Sequence, residues 1–443
     1  MKRIYTALCG FMLLFVILVG LISTFDKDAT YSESERRQLK TKPKMTISGL
    51  IDGTYFAEYR DYYADTFPNR ESLMKGNTTL NGFYYFGGIG SKDSASLVID
   101  FNANAAQQGE ALKATEDPDA TTDGTEEAEE PVKKPTEPLA AAEQLGSVVL
   151  IGDSAFDVPH ADNNQIIKYA QAVTAIADTL GSNVQTFSMP VPNSSEFYTH
   201  KEYHTGKTSQ IAMFDVVKNN IGSNVTYVDA YSVIEKHTDE YIYFRTDHHW
   251  THLGAYYAYT ALCNTAGFTP VNRDDFATGQ WDNFVGSMYT YVANYPQGQV
   301  LKNNPDTVYY WKPSANITTT CYNSTALKNG YAMGTICRVG EDVDNKYLTF
   351  MGGDHPIAIV ETDTVGPCIL VIKESYGNAL ISWLTNHYSK IILIDPRQYY
   401  GKNSEIDLAA FAESQGVNQC LVINYPMMLN SDGYTGLLEK LVK

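Results

Sequence analysis

Hydrophobic positions change their spacing several times along the chain. From Ile4 to Phe25 the residues are mostly apolar and none is charged, close to the ~20 residues needed to cross a bilayer as a helix. Tyr55, Phe56, Tyr59, Tyr62, Tyr63 and Phe67 recur at helical spacing, which predicts a helix with an aromatic packing face. Between Asn102 and Leu145 large apolar residues nearly vanish, and Glu, Asp, Thr and Pro dominate. Such a stretch cannot bury enough surface to offset its ordering entropy, so a disordered acidic insertion is predicted over 102–145.

Beyond it the pattern becomes that of an α/β fold. Short, continuously apolar runs at 147–151, 368–372, 391–394 and 420–423 read as strands buried on both faces of a parallel sheet. Helix-like pieces between the later runs supply crossovers. Each run ends in polar residues, and ligands of open sheets bind beyond the carboxyl ends of the strands. Residues 270–365, rich in Asn, Tyr, Thr and Gly, read as an irregular or β-containing insertion. The expected organisation is an anchor at 1–25, a juxtamembrane and helical region at 26–101, the acidic insertion at 102–145 and an α/β domain at 146–443. That domain is expected to have a central, mainly parallel sheet flanked by helices.

Lys2 and Arg3 precede the first apolar span. Basic residues stay on the cytoplasmic side, so the N-terminus is expected inside and the α/β domain outside the cell membrane. The poor small-x-small site after Gly20 favours an uncleaved anchor over a cleaved signal. A net charge of −18 argues against nucleic acid as a partner. Of the six cysteines, Cys9 lies in the span, and an odd five remain. Cys368 and Cys420 fall inside strand-like runs, whereas Cys321 and Cys337 are candidates for a loop-closing disulfide.

The chemistry concentrates in RTDHHWTHLGAYYAY, residues 245–259, which holds three of the nine histidines. His248 and His252 are four apart with Asp247 beside them, a spacing that suits zinc. No His-Glu-x-x-His is present, however, and the remaining ligands have no source, so no metal and no cofactor are expected. Asp247 and His249 are two apart. On an extended chain both would project to one side, where a carboxylate orients an imidazole and stabilises its protonated form. Trp250 is a candidate wall of this site and Thr251 a cap for the helix that follows. Such a dyad calls for a nucleophile, and two serines compete. Ser154 follows the first apolar run in LIGDS. Ser375, in CILVIKESYGNALISWL, stands at a strand-to-helix junction where its amide can hold an oxyanion. Gly377 keeps that turn unobstructed and Asn378 adds a side-chain donor. The residues favour Ser375 and leave Ser154 open. Arg397, in IDPRQYY, is a candidate for binding a substrate oxygen. Asn424 and Gly286-Ser287 are further candidates for lining the cleft, and Arg245 reads as a loop brace.

These segments together, with SESERRQLKTKP, ADTFPNRESL and VPNSSEFY, resemble the DHHW family of bacterial membrane-anchored proteins. That family is similar to the periplasmic alginate O-acetylation proteins, which have an SGNH-hydrolase-like domain. The resemblance implies a triad drawn from Asp247, His249 and Ser375, with His248 at a variable position and Ser154 a lookalike. It also implies an O-acetyltransferase or acetylesterase acting on a cell-surface polysaccharide through an acyl-enzyme, served by a multi-pass membrane partner that supplies acyl groups. The alternative is an inactive carbohydrate-binding or assembly protein of the same fold, for which the 32 tyrosines offer stacking surfaces.

Overall fold

The computed structural model describes residues 31–32, 37–46, 49–50, 54–67, 142–145, 148–200, 209–341, 343–403 and 405–443. The expected anchor at 1–25 lies outside them, as does nearly all of the acidic insertion. Among the described residues no helix is long and apolar enough to cross a membrane. The chain divides into two units, residues 1–93 and 94–443.

In the first unit β1 (Tyr31–Ser32) pairs antiparallel with β2 (Arg37–Gln38). The predicted aromatic helix is α1 (Thr54–Asp65). It buries Tyr62 but leaves Phe56 61% exposed, so only part of its aromatic set packs.

The second unit begins with a three-stranded antiparallel sheet of β3 (Glu143–Leu145), β4 (Val148–Ile151) and β5 (Ser154–Asp157). Two expectations are corrected here. Residues 143–145, counted with the disordered insertion, form an edge strand. The apolar run at 147–151 belongs to this small sheet and not to the parallel one. Gly152 at φ +60° turns the chain back through a two-residue hairpin, for which a left-handed first position is the favoured geometry. A fully apolar strand signals burial, and here neighbouring Met288, Val292 and Leu301 provide it.

The chain continues through α2 (Asn163–Leu180), β6 (Gln185–Pro190), α3 (Gln210–Asn220) and β7 (Val225–Tyr227) to α4 (His252–Ala266). The Asp162 side chain caps α2 by accepting the amides of Asn164 and Gln165. Thr251 caps α4 as predicted, accepting from the Gly254 amide at 3.3 Å, and left-handed Gly267 ends that helix. The hairpin β8 (Thr278–Phe284) and β9 (Asp306–Trp311) follows. Then come β10 (Ile317–Tyr322), β11 (Tyr331–Met333), β12 (Ile357–Thr362), β13 (Cys368–Lys373), β14 (Lys390–Ile394), α5 (Leu408–Gln415), β15 (Gln419–Asn424) and α6 (Asp432–Lys440).

An eight-stranded sheet, ordered β11-β10-β12-β14-β13-β15-β6-β7, organises this unit. The five strands from β14 to β7 are parallel, while β10, β11 and β12 extend them in antiparallel pairing. Much of the expected insertion at 270–365 is therefore part of the main sheet. β13 and β15 are buried at every position. Helix α2 packs against α3, α5 and α6, whereas α4 packs against β9 and the turn that follows β13. That turn begins with Ser375, at the carboxyl edge of the parallel strands.

Candidate active site

Residues 245–250 form a tight bend ahead of α4, and a buried carboxylate from outside the bend shapes it. Asp306, at the start of β9, accepts the amides of Arg245 (3.1 Å) and Thr246 (2.8 Å) and the Thr246 hydroxyl (2.6 Å). Arg245 pairs with Asp306 and Asp153, a loop brace as read from the sequence. The bend brings Asp247 and His249 together by a different route from the one expected. They do not share a face of extended chain. Asp247 Oδ1 instead accepts both the His249 amide (2.9 Å) and His249 Nδ1 (2.6 Å), as aspartates do in local turns. An ionised carboxylate only accepts, so Nδ1 carries the proton and Nε2 is left as an acceptor.

Ser375 meets that acceptor. β13 ends at Lys373, and the buried Glu374 carboxylate caps the next turn by accepting the Tyr376 amide at 2.9 Å. Ser375 Oγ then lies 2.9 Å from His249 Nε2. Several contacts fix the two segments against each other. The Trp250 indole donates to the Tyr376 carbonyl at 2.9 Å, and the Tyr376 hydroxyl donates to the His248 carbonyl. Tyr347 donates its hydroxyl to the Ser375 carbonyl (3.1 Å) while its ring stacks on His249, 3.9 Å between centroids.

Asp247 is held on its far side too, where Oδ2 accepts the Ser287 amide at 2.7 Å. A β-carbon on Gly286 would fall inside the Asp247 side chain, so only glycine admits this approach. Burial by itself would raise the Asp247 carboxyl. His249, His248 and the Ser287 amide outweigh it and hold the group well below the usual carboxylate range.

The other candidates are placed less as the sequence suggested. Ser154 opens β5, and its hydroxyl donates to Asp153 at 3.3 Å, with no histidine among its hydrogen-bond partners in the described residues. Trp250 is fully buried, so it ties the backbone together and walls no cleft. Asn378 is buried; its side-chain N–H donates to Asp354 (2.8 Å) and its oxygen accepts from Lys373 (2.6 Å). It is drawn into an ionic cluster with Asp354 and Lys373. The Gly377 amide donates to the Glu374 carbonyl at 2.9 Å. A side chain at Gly377 would press on Lys373, so this glycine makes room and binds nothing. Asn424 is buried between the Tyr169 and Tyr434 hydroxyls, away from any cleft. Cys321 and Cys337 are both free thiols.

The pattern of the DHHW protein family matches residues 122–394. The chain belongs to the DHHW family. A DHHW family protein from Eubacterium siraeum has a similar structure, with 27% identity over 69% of this chain and all of that one, at a TM-score of 0.61. PatB1 from Bacillus cereus, solved with a sulfonyl adduct, is 16% identical over 66% of this chain and 98% of its own, at a TM-score of 0.53. A second structure of PatB1 gives 18% identity and a TM-score of 0.52. No curated protein matches the sequence.

The residues that name the family do unequal work in this DHHW protein. Asp247, His248 and His249 lie close enough for one ion to touch a donor of each, but both ring nitrogens of His249 are already engaged. His252, four residues from His248, goes elsewhere. It is buried among Trp311, Phe350 and Trp383. There its Nε2 meets Ser382 Oγ at 2.8 Å and its Nδ1 accepts the Trp311 amide. Burial pulls His252 down to about 3. The unfolded chain binds this proton below about pH 6.5 and the folded one does not. This stability is therefore complete above 6.5 and is lost as pH falls toward 3. In thermal melts at pH 7.5, 5.5 and 4.5, His252→Gln should show a shallower acid loss than wild type; parallel curves would contradict the assignment.

Beneath Ser375 this DHHW protein carries an ionic cluster with no local sequence signal. Lys373 lies 2.9 Å from Asp354 and 3.7 Å from Asp395, and Arg397 lies 2.6 Å from each. Burial works to raise the Asp354 carboxyl, yet Lys373 and Arg397 hold it well below its ordinary range. Arg397, expected to reach a substrate oxygen, is thus occupied with the two aspartates that fix the serine turn. Lys373→Met leaves two buried carboxylates with one cation and should cost about 3–5 kcal/mol. Urea denaturation reads the loss directly.

Proposed function

We propose that this DHHW protein is an acyl-transfer enzyme that modifies a carbohydrate through a serine acyl-enzyme. The observation that carries the reading is the chain of contacts from Asp247 through His249 to Ser375. In the proposed reaction Ser375 Oγ attacks an acetyl ester carbonyl as its proton passes to His249 Nε2, and Asp247 stabilises the imidazolium. The Ser375 amide is the proposed oxyanion donor, since Glu374 already engages the amides of Tyr376 and Gly377. Collapse expels the donor alcohol, which takes the proton from His249. A sugar hydroxyl or water then attacks the acyl-enzyme, with His249 as base. The sulfonyl adduct of PatB1, a protein of similar fold, agrees with a reactive site of this kind.

The same reading places the protein at the cell membrane, held by the apolar span at 4–25, with the enzyme unit outside. Its substrate is a cell-surface polysaccharide, and its acetyl groups come from a multi-pass membrane partner. Incubating the full chain with p-nitrophenyl acetate and oligosaccharides tests the chemistry. Nitrophenol release should vanish in His249→Ala and persist in Ser154→Ala. Release that survives in His249→Ala, or that a chelator abolishes, contradicts it.

A further inference from the structure

Among the residues around Ser375, His248 has a ring whose position is fixed but whose use is unaccounted for. Its Nδ1 lies 2.6 Å from Ser287 Oγ, and its ring lies against that of His249, 3.8 Å between centroids. Tyr425 approaches within 5.9 Å and Tyr376 within 6.2 Å. Ser287 thereby serves both histidines of the bend: its amide holds Asp247 and its hydroxyl holds His248. The other ring nitrogen of His248, Nε2, has no hydrogen-bond partner among the described residues, and the side chain keeps 14% of its surface exposed. An oriented imidazole with one nitrogen fixed and the other open is a binding group for something that arrives.

The surroundings narrow what arrives. Burial and the neighbouring His249 push His248 down to about 3, so the ring is neutral when His249 takes up a proton. Asp247 lies 3.8 Å away, and Arg397 and Asp354 act on the ring in opposite senses, so no net positive charge recruits a carboxylate or phosphate ligand. A hydroxyl both donates and accepts, so it satisfies Nε2 in either tautomer. The two ring centroids lie 3.8 Å apart with their planes inclined at 38°, so the open Nε2 of His248 sits on a ring adjoining the one whose Nε2 receives the acceptor's proton. Adjacent hydroxyls of a sugar ring lie about one hydrogen-bond length apart, so two neighbouring imidazoles can each take one.

We propose that His248 binds the acceptor sugar through the hydroxyl next to the one being acylated, so that a neutral vicinal diol is the preferred acceptor. This rests on the acyl-transfer reading above. In the transfer step the attacking hydroxyl gives its proton to His249 Nε2 and forms the new ester bond. The bond from the acyl carbon to Ser375 Oγ breaks, and His249 returns the proton to that oxygen. His248 neither gives nor takes a proton; it is a positioning residue held in place by Ser287.

The test loads the full chain with acetyl groups from p-nitrophenyl acetate and offers cis-1,2-cyclohexanediol or cyclohexanol. The ratio of transfer rates to the two acceptors is read, so a general loss of activity cancels. One added hydrogen bond corresponds to roughly tenfold in that ratio for wild type. In His248→Phe, which keeps an aromatic ring against His249, the ratio should fall to the roughly twofold value expected from counting hydroxyls. Ser287→Ala keeps the amide that holds Asp247 and should lower the ratio in the same direction, while His248→Gln should restore part of it. An unchanged ratio in both His248→Phe and Ser287→Ala, or no diol preference in wild type, overturns the role of His248. Failure of wild type to form any acyl-enzyme overturns the acyl-transfer reading itself.

Discussion

Ser375→Ala is expected to reduce ester turnover by a factor on the order of 10⁴–10⁶, the range seen when a triad nucleophile is removed. The substitution deletes only Oγ, the atom 2.9 Å from His249 Nε2. It leaves the Glu374 cap on the Tyr376 amide, the Trp250 bond to the Tyr376 carbonyl and the Tyr347 bond to the Ser375 carbonyl in place. Folding stability should therefore change by less than about 1 kcal/mol, as for substitutions that break no buried network. Ser154 offers no substitute, because its hydroxyl is paired with Asp153 in the β4–β5 hairpin. Steady-state rates alongside a thermal melt separate loss of chemistry from loss of fold.

Asp247→Asn should be nearly as damaging, with turnover down by about 10⁴. The carboxylate now accepts three N–H groups, two from His249 and one from Ser287. An asparagine amide has one oxygen, so its NH₂ must confront at least one of those donors. If it confronts Nδ1, the imidazole adopts the other tautomer, Nε2 can no longer accept from Ser375, and the His249 amide, which shares that oxygen, is left unmet. If it confronts the Ser287 amide, a buried donor is left unmet at about 1–3 kcal/mol. The variant should thus lose both rate and some stability, unlike Ser375→Ala. Comparing turnover and urea midpoints of the two variants checks that contrast.

How far these features were legible in the sequence depends on how local their causes are. The runs at 368–372, 391–394 and 420–423 became parallel strands because each is short, apolar and flanked by polar residues. Thr251 could be read as a cap because capping is decided within three residues. The run at 147–151 looked the same as the parallel strands, since continuous apolarity reports burial and not the partner strand. The Gly152-Asp153 pair that turns it into a hairpin is visible, but within LIGDS it reads equally as the approach to a nucleophilic serine.

The site shows the same division. Asp247 and His249 are legible from residue type and spacing, whereas the choice of Ser375 over Ser154 is settled only through the family resemblance; the structure brings the three into one chain of contacts. What supports them is less legible. Asp306 acts on the bend across 60 residues with no pattern to announce it, and Gly286-Ser287, read from the sequence only as a cleft lining, holds Asp247 across 40. Asn378 carried a plausible local signal as an oxyanion donor. Lys373 and Asp354 overrode it, because a buried charge takes the nearest amide available.

Ser375 is proposed here as a nucleophile activated by His249. Treating the full chain with a fluorophosphonate probe and mapping the modified peptide by mass spectrometry tests this most directly. A single adduct on Ser375, absent in His249→Ala and retained in Ser154→Ala, is the predicted result. An adduct on Ser154, or labelling of Ser375 that is indifferent to His249, would contradict it.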